Sequence, residues 1–570
     1  MRSLWMVVIA VIAALAFAGC GDDDEAKKGG TLTVMATDDI QYMDPGAMYY
    51  QFDYMVLAQP GHRALYGWKA GETKPVPDLA TALPQVSDGG KTLTIKIRDG
   101  VRFSPPVNRE VTSADVKYAL ERLFLTQVGN GYALTYMSGI VGNAEYTEGK
   151  AKEVAGIETP DPQTVVLKLT EPSYAMASGN ALALPGSAPV PKEYAEKYDK
   201  GETSTYGEHV VFTGPYMVKN DKSGKLTGWQ PGKRIELVRN PNWDGETDFR
   251  EANLESIVVN LGADATVASR QILNGKSMVS GDFAAPPTPI LKSALESRED
   301  QLDILPSQGN RYVSLNTTIE PLDDVNVRKA IFAVTDRDEL RLTRGGEQLG
   351  TVANHFIPPG IPGFEEAGGE AGPDLDYAKN PNGDVELAKS YMRKAGYESG
   401  MYDGPELLMV GDDEVPTNRT AEAFQAQIEK IGFKTNLRQV PHETVLSEFC
   451  QQPKAKVAFC PNLGWGKDFF DSQSMLDPVL NGKNIVSTGN TNNAQADDPK
   501  LNRLLDSAKG ETDPARRAEL YGEADRYATG QVFYIPWLWD NQVNFASENV
   551  NGVKNQFNSS WDLTYSSLDE

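Results

Sequence analysis

Two rhythms of apolar and polar positions divide this chain. Thr31-Leu-Thr-Val-Met-Ala alternates, so Leu32 and Val34 share one face, the period-two pattern of a strand. Lys91-Thr-Leu-Thr-Ile-Lys-Ile repeats the pattern with Leu93, Ile95 and Ile97 inward. Thr164-Val-Val-Leu-Lys-Leu, Ile235-Glu-Leu and Ile257-Val-Val-Asn-Leu add short strands, with Gly and Pro clusters between them. One clear helix interrupts. Thr112 can cap it with Asp115 three residues on, and Val116, Ala119, Leu120, Leu123 and Phe124 follow the helical stripe. The first half reads as strand-rich α+β.

In the second half, helical stripes follow one another with single strands between. Val327, Ala330, Ile331 and Val334 form one stripe; Ala388, Tyr391, Met392 and Ala395 form another, closed by Gly396. Phe424, Ile428 and Ile431 form a third, closed by Gly432 and followed at once by the alternating Phe433-Lys-Thr-Asn-Leu-Arg-Gln-Val. Helix, glycine cap and return strand make the unit of an α/β layer. Helices around Leu501 to Ala508 and Ala515 to Ala528 lead to the strand Val532-Phe-Tyr-Ile-Pro-Trp. The break in rhythm near Arg311 marks the candidate boundary between halves.

With 570 residues, the chain exceeds the roughly 250–300 at which single cores stop growing, so two or more lobes are expected. Its 55 Lys plus Arg against 79 Asp plus Glu leave a formal charge of −24, which argues against nucleic acid as a partner. The N-terminus changes the picture more. Arg2 precedes an apolar run from Leu4 to Ala18, then Gly19, Cys20 and Gly-Asp-Asp-Asp-Glu. That run is too short for a hydrocarbon layer of about 30 Å, which takes about 20 residues, and fits a secretory signal at 1–19. Phe17-Ala18-Gly19-Cys20 resembles a bacterial lipobox, which would make Cys20 the lipidated first residue of a tether at 20–30. Of the three cysteines, Cys450 and Cys460 then remain, and in an exported chain they are expected to form a disulfide.

Catalytic constellations are not evident. The four histidines (His62, His209, His355, His442) are scattered, and His442-Glu443 has Leu446 where the second ligand of a zinc-protease motif would stand. Neither a Gly-x-Ser-x-Gly elbow nor a phosphate-cradling glycine loop occurs. No catalytic residue, metal ligand or cofactor is assigned, and the chain is read as a non-enzyme.

Longer motifs do match. Pro77-Asp-Leu-Ala, the stretch from Val86-Ser-Asp-Gly-Gly-Lys through Arg98-Asp-Gly-Val-Arg-Phe, and Val111-Thr-Ser-Ala-Asp-Val-Lys-Tyr-Ala-Leu-Glu-Arg resemble the signature of solute-binding proteins of peptide and nickel ABC importers. Thr213-Gly-Pro-Tyr, Arg239-Asn-Pro-Asn-Trp, Pro321-Leu-Asp-Asp-Val-Asn-Val-Arg-Lys-Ala, Lys430-Ile-Gly-Phe, Gly464-Trp-Gly-Lys-Asp and Tyr534-Ile-Pro recur in the same order, so the resemblance covers nearly the whole mature chain. It implies an α/β periplasmic-binding-protein type II-like fold, two hinged lobes with an extra subdomain on the first. Lobe I would hold 31–67, 206–310 and 537–570, its accessory subdomain 68–205, and lobe II 311–536. Strands near Tyr312-Val-Ser-Leu-Asn and Tyr534-Ile-Pro would form the hinge.

The resemblance also implies a ligand and partners. The ligand would be an oligopeptide or dipeptide, passed by a monomeric lipoprotein at the outer face of the cell membrane to ABC permease subunits. A nickel or other metal chelate and an oligosaccharide are the alternative ligands; a secreted lipoprotein hydrolase or a ligand sensor are the alternatives of another class. Asp468 is expected to meet the ligand amine, Trp465 to form an aromatic wall, and Tyr42 and Met43 to face the cleft from the first strand's loop. Lys467 could instead pair with Asp468 or bind an anion. Asp336, Arg337 and Arg328 are expected to form a structural ion-pair network.

Overall fold

The computed structural model describes residues 28–281, 287–415, 417–487, 489–552, 554–555, 557 and 559–569. The expected signal segment at 1–19, Cys20 and the expected tether up to residue 27 lie outside them.

The chain starts with β1 (Thr31–Met35) and then leaves its sheet to build a separate one from β2 (Gln85–Ser87), β3 (Thr92–Lys96), β4 (Ile157–Asp161) and β5 (Thr164–Lys168). That sheet is antiparallel, in the order β2-β3-β5-β4. The helix Ser113–Arg122 packs on it, and the anticipated capping box of Thr112 and Asp115 closes its first turn. Chain direction then returns to the first sheet with β6 (Tyr216–Val218), β7 (Arg234–Arg239), β8 (Ser256–Asn260) and β9 (Met278–Ser280). Here the order is β9-β1-β8-β7-β6, with β1 parallel to both neighbours and the short strand Trp229–Gln230 paired to β7.

A third sheet follows from β10 (Leu302–Leu315), β11 (Gly350–Thr351), β12 (Leu407–Asp412), β13 (Thr435–Val440), β14 (Phe459–Gly466) and β15 (Tyr534–Phe545), in the order β11-β15-β10-β14-β12-β13. Helices cover both faces. As the periodicity predicts, Gly396 and Gly432 follow helices at φ +99° and +91°, a left-handed turn that glycine enters without a Cβ clash.

β10 and β15 are the connection between lobes. They pair antiparallel from Leu302 opposite Phe545 to Ser314 opposite Tyr534, with irregular register between Pro306 and Gly309 and again between Arg311 and Tyr312. Beyond Phe545, Ala546 bridges to Val279 of β9, so the ribbon is rooted in the first sheet and ends in the third. The change of rhythm at Arg311 therefore falls inside one continuous strand.

Burial divides accordingly. One apolar core joins the first sheet to the β2–β5 sheet, from Leu32 and Val34 through Leu93, Ile95, Leu120 and Phe103. The third sheet has a core on each face, one around Tyr312, Phe356 and Tyr534 and one around Val313, Phe424 and Trp537. Lobe I and its extra sheet are thus one body, and lobe II another. The two ends of the described residues meet: the Leu568 side chain lies 2.9 Å from where a Cβ on Gly30 would stand, and the Gly29 and Asp569 N–H groups donate to Asn253 and Asn549 carbonyls.

Buried arginines hold loops together. Arg122 reaches Asp44 at 2.6 and 2.9 Å and Asp199 at 2.8 and 2.9 Å, fastening the loop after β1 to the extra sheet. Arg328 and Arg337 differ from expectation. Arg328 donates to the carbonyls of Leu322, Asp323, Gln531 and Val532, and Arg337 to those of Ala353 and Ala378, while Asp336 caps the helix Arg337–Arg344. These guanidiniums clamp neighbouring segments through backbone oxygens instead of carboxylates. Cys450 and Cys460 form a disulfide.

Candidate functional site

The two lobes face each other across β14. On one edge β14 pairs with β10, placing Gly466 opposite Gly309, Trp465 opposite Asn310 and Gly464 opposite Arg311. On the other, among the described residues, it meets β12 only at Phe459 opposite Met409; Cys460 to Leu463 are then buried, and the edge is open from Gly464 to Gly466. Gly464 and Gly466 are exposed there. A Cβ on Gly464 would come within 2.7 Å of the Arg311 guanidinium, so a larger residue there would displace that side chain. An open, side-chain-poor edge can accept an extended peptide by backbone pairing.

Trp465 projects from this edge, half-buried, with its indole Nε1 donating to the Ser474 carbonyl at 2.8 Å. Its ring lies 6.5 Å from that of Tyr49. From Tyr49 a row of phenols runs in both directions. Tyr132 stacks at 4.9 Å and Tyr136 follows at 5.8 Å on one side; Tyr50 lies 5.5 Å away and Tyr42 stacks on it at 6.4 Å on the other.

Asp468 closes the inner end of the row. It is 5% exposed, accepts hydrogen bonds from the hydroxyls of Tyr136 and Tyr132, and has no cationic partner among the described residues. Burial pushes its carboxyl up to about 7, only partly opposed by the tyrosine hydrogen bonds. Lys467 is equally buried and does not pair with it. Its ammonium donates to the Ser307 carbonyl at 3.2 Å and sits 4.7 Å from the Phe470 ring centre, and burial lowers it to about 7. Adjacent residues thus carry an acid and a base, each desolvated and each without an opposite charge among the described residues.

Tyr42 lies at the outer end, 37% exposed, with its backbone N–H and that of Gln41 donating to the Asp53 carboxylate. Met43 turns inward and packs in the lobe I core at 4% exposure, so the structure does not bring it into the cleft beside Tyr42. Glu443 of lobe II lies within electrostatic reach of Tyr42, and next to it in the chain His442 meets Asp412 at the end of β12. His442 Nδ1 lies 2.7 Å from Asp412 Oδ1, and the Asn462 amide donates to Asp412 Oδ2 at 2.5 Å. Against burial, which raises it, His442, the Asn462 amide and the Arg311 guanidinium hold Asp412 below the usual carboxylate range. The sequence reading missed Tyr49, Tyr132, Tyr136 and Asp412. It also set His442 aside for lacking a zinc motif, although a histidine next to a strand-end aspartate marks a polar cleft residue equally well.

The lobes are in contact around this site. Gln51 of lobe I donates to the Lys467 carbonyl at 3.0 Å, Lys509 of lobe II donates to the Thr135 carbonyl at 3.3 Å, and Phe469 is fully buried in the lobe I core. Beside Phe470 a cavity of about 410 Å³ separates Tyr174 and Asn180 from Pro362, Asp471 and Arg517. The Arg517 guanidinium there is fully used, bonding Asp471 at 2.8 and 2.9 Å and Gln473 at 2.6 Å.

Known proteins share this architecture. The oligopeptide-binding protein OppA of Bacillus subtilis (strain 168) is 25% identical over 563 residues, 97% of this chain and 96% of that protein. Heme-binding protein A of Haemophilus influenzae is 26% identical over 498 residues, 85% and 82% of the two chains. Among solved structures, clavulanic acid biosynthesis oligopeptide binding protein 2 superposes with a TM-score of 0.82 at 26% identity, covering 95% of this chain and 96% of that one. Helicobacter pylori DppA in complex with the peptide STSA has a TM-score of 0.77 at 20% identity over 95% and 99%, a likeness of fold. The family model of the bacterial extracellular solute-binding proteins, family 5 Middle, matches residues 74–487. This chain, two lobes closed over an open strand edge, belongs to the bacterial extracellular solute-binding proteins of family 5.

Proposed function

We propose that this protein captures a short peptide outside the cytoplasmic membrane and hands it to an ABC permease when its lobes close. One observation carries the reading: a buried carboxylate, Asp468, without a cation, at the end of an open strand edge between two lobes. The ammonium of a peptide supplies the missing charge, and its backbone pairs with the exposed edge from Gly464 to Gly466. Ligand bridging both lobes would favour the closed form by its extra contacts there. The peptide-binding relatives support this choice of ligand. Trp465 and Tyr42 serve as walls of the site and Asp468 as the amine receptor. We assign 31–67, 206–310 and 537–570 to lobe I, 68–205 to its accessory subdomain and 311–536 to lobe II. The protein acts as a monomer, held by a lipid on Cys20, and releases the peptide uncleaved.

Calorimetry with short peptides tests the reading. Asp468→Asn is expected to weaken binding at least about tenfold, as expected for losing one partner of a buried charge pair. An N-acetylated peptide is expected to bind the unaltered protein poorly. Equal affinity for free and acetylated peptide removes Asp468 from this role, and cleavage of any peptide by the purified protein overturns the binding reading.

A further inference from the structure

The outer end of the tyrosine row differs in charge from its inner end. Asp38 follows β1 on lobe I; Asp412, Glu414 and Glu443 stand at the ends of β12 and β13 on lobe II. Across the closed cleft Asp38 lies within electrostatic reach of Glu414 and His442, and Tyr42 within reach of Asp53 and Glu443. Asp38, Glu414 and Glu443 have no ionic partner among the described residues. Two nitrogen-bearing side chains stand beside this mouth: the His442 imidazole, bonded to Asp412, and the Arg311 guanidinium, held through Nε by Asp540 at 2.8 Å. A second observation concerns Asn462, 6% exposed, whose amide nitrogen is spent on Asp412 and whose Oδ1 has no donor. A buried carbonyl oxygen without a donor costs free energy that a bound N–H would recover.

We propose that this mouth, formed by Asp38, Tyr42 and Tyr50 of lobe I with Asp412, Asn462 and Glu443 of lobe II, takes a lysine or arginine side chain of the bound peptide. The chemistry is complementary at each point. An ammonium or guanidinium has only donors, which the Asn462 oxygen and the unpaired carboxylates accept. Its aliphatic stem and charge suit the stacked faces of Tyr42 and Tyr50. Asp38 stands within electrostatic reach of Glu414 across the cleft, and a cation between them cancels the repulsion between like charges. The row of rings then reads as a track with an amine receptor at Asp468 and a side-chain receptor at the mouth. The inference rests on the peptide reading above.

Calorimetry of trialanine and its variants with lysine, arginine, norleucine or glutamate at each position tests it. At one position lysine and arginine are expected to bind at least about tenfold more tightly than norleucine, the scale of one charge-assisted contact, and glutamate more weakly. Asp38→Asn together with Glu443→Gln, both on the surface, is expected to abolish that preference while leaving the affinity for norleucine peptide unchanged. Norleucine binding as tightly as lysine at every position overturns the proposal while the peptide reading stands, as does a preference that survives the double variant. If no tripeptide binds, both readings fall.

Discussion

Asp468 and Lys467 are consecutive in sequence, both desolvated, and shifted toward each other from opposite ends of the pH scale. The Asp468 carboxyl at about 7 stands above the 3.9 or so of an unfolded aspartate. Between those values the folded protein holds a proton that the unfolded chain has lost, so stability falls as pH rises toward 7. Lys467 at about 7 stands below the roughly 10.4 of an unfolded lysine. Between those values the unfolded chain holds the extra proton, and stability rises with pH. Ligand-free protein should therefore show a minimum of urea stability near pH 7. Asp468→Asn should remove the acidic limb and Lys467→Met the alkaline one; an unchanged profile in both variants would show that these groups are solvated. Tyr136→Phe should weaken peptide binding about tenfold by removing one interlobe hydrogen bond to a charged group, roughly 1.5 kcal/mol, while discrimination against acetylated peptide persists in calorimetry.

At the scale of elements, the disulfide joins the helical turn Val445–Cys450 to β14, the strand that offers the open edge. Closing this short loop restricts the unfolded chain by about 2–3 kcal/mol on the loop-entropy scale. Cys450→Ser with Cys460→Ser should lower the urea midpoint accordingly, and reductant should lower that of the unaltered protein but leave the variant unmoved. Most elements were legible in the sequence because their burial is local and periodic: Leu93, Ile95 and Ile97 do point inward, and the capping box does close its helix. The ribbon was less so. Pro306 and Gly309 break the alternation of β10, and β15 continues eight residues beyond Trp537, because pairing between distant strands rather than local propensity extends both. The amine receptor was legible only by half. Asp468 stands in a recognisable motif, but the phenol that caps it comes from 332 residues away, a distance that no local pattern spans.

For the whole molecule, the division of cores matters more than the number of sheets. The accessory sheet shares the core of lobe I, so closure moves lobe II against one combined body through β10 and β15. Small-angle scattering should show a smaller radius of gyration when peptide is added, and no change for Asp468→Asn at the same peptide concentration. The meeting of Gly30 with Leu568 has a practical consequence for engineering. A few glycines could join Asp569 back to Lys28, and new ends could be opened in the exposed turn at Glu398 and Ser399. Such a circular permutant should fold and bind with its cleft intact, yet present both ends on lobe II. Fluorophores or a surface linkage could then follow the moving lobe while the other is left free.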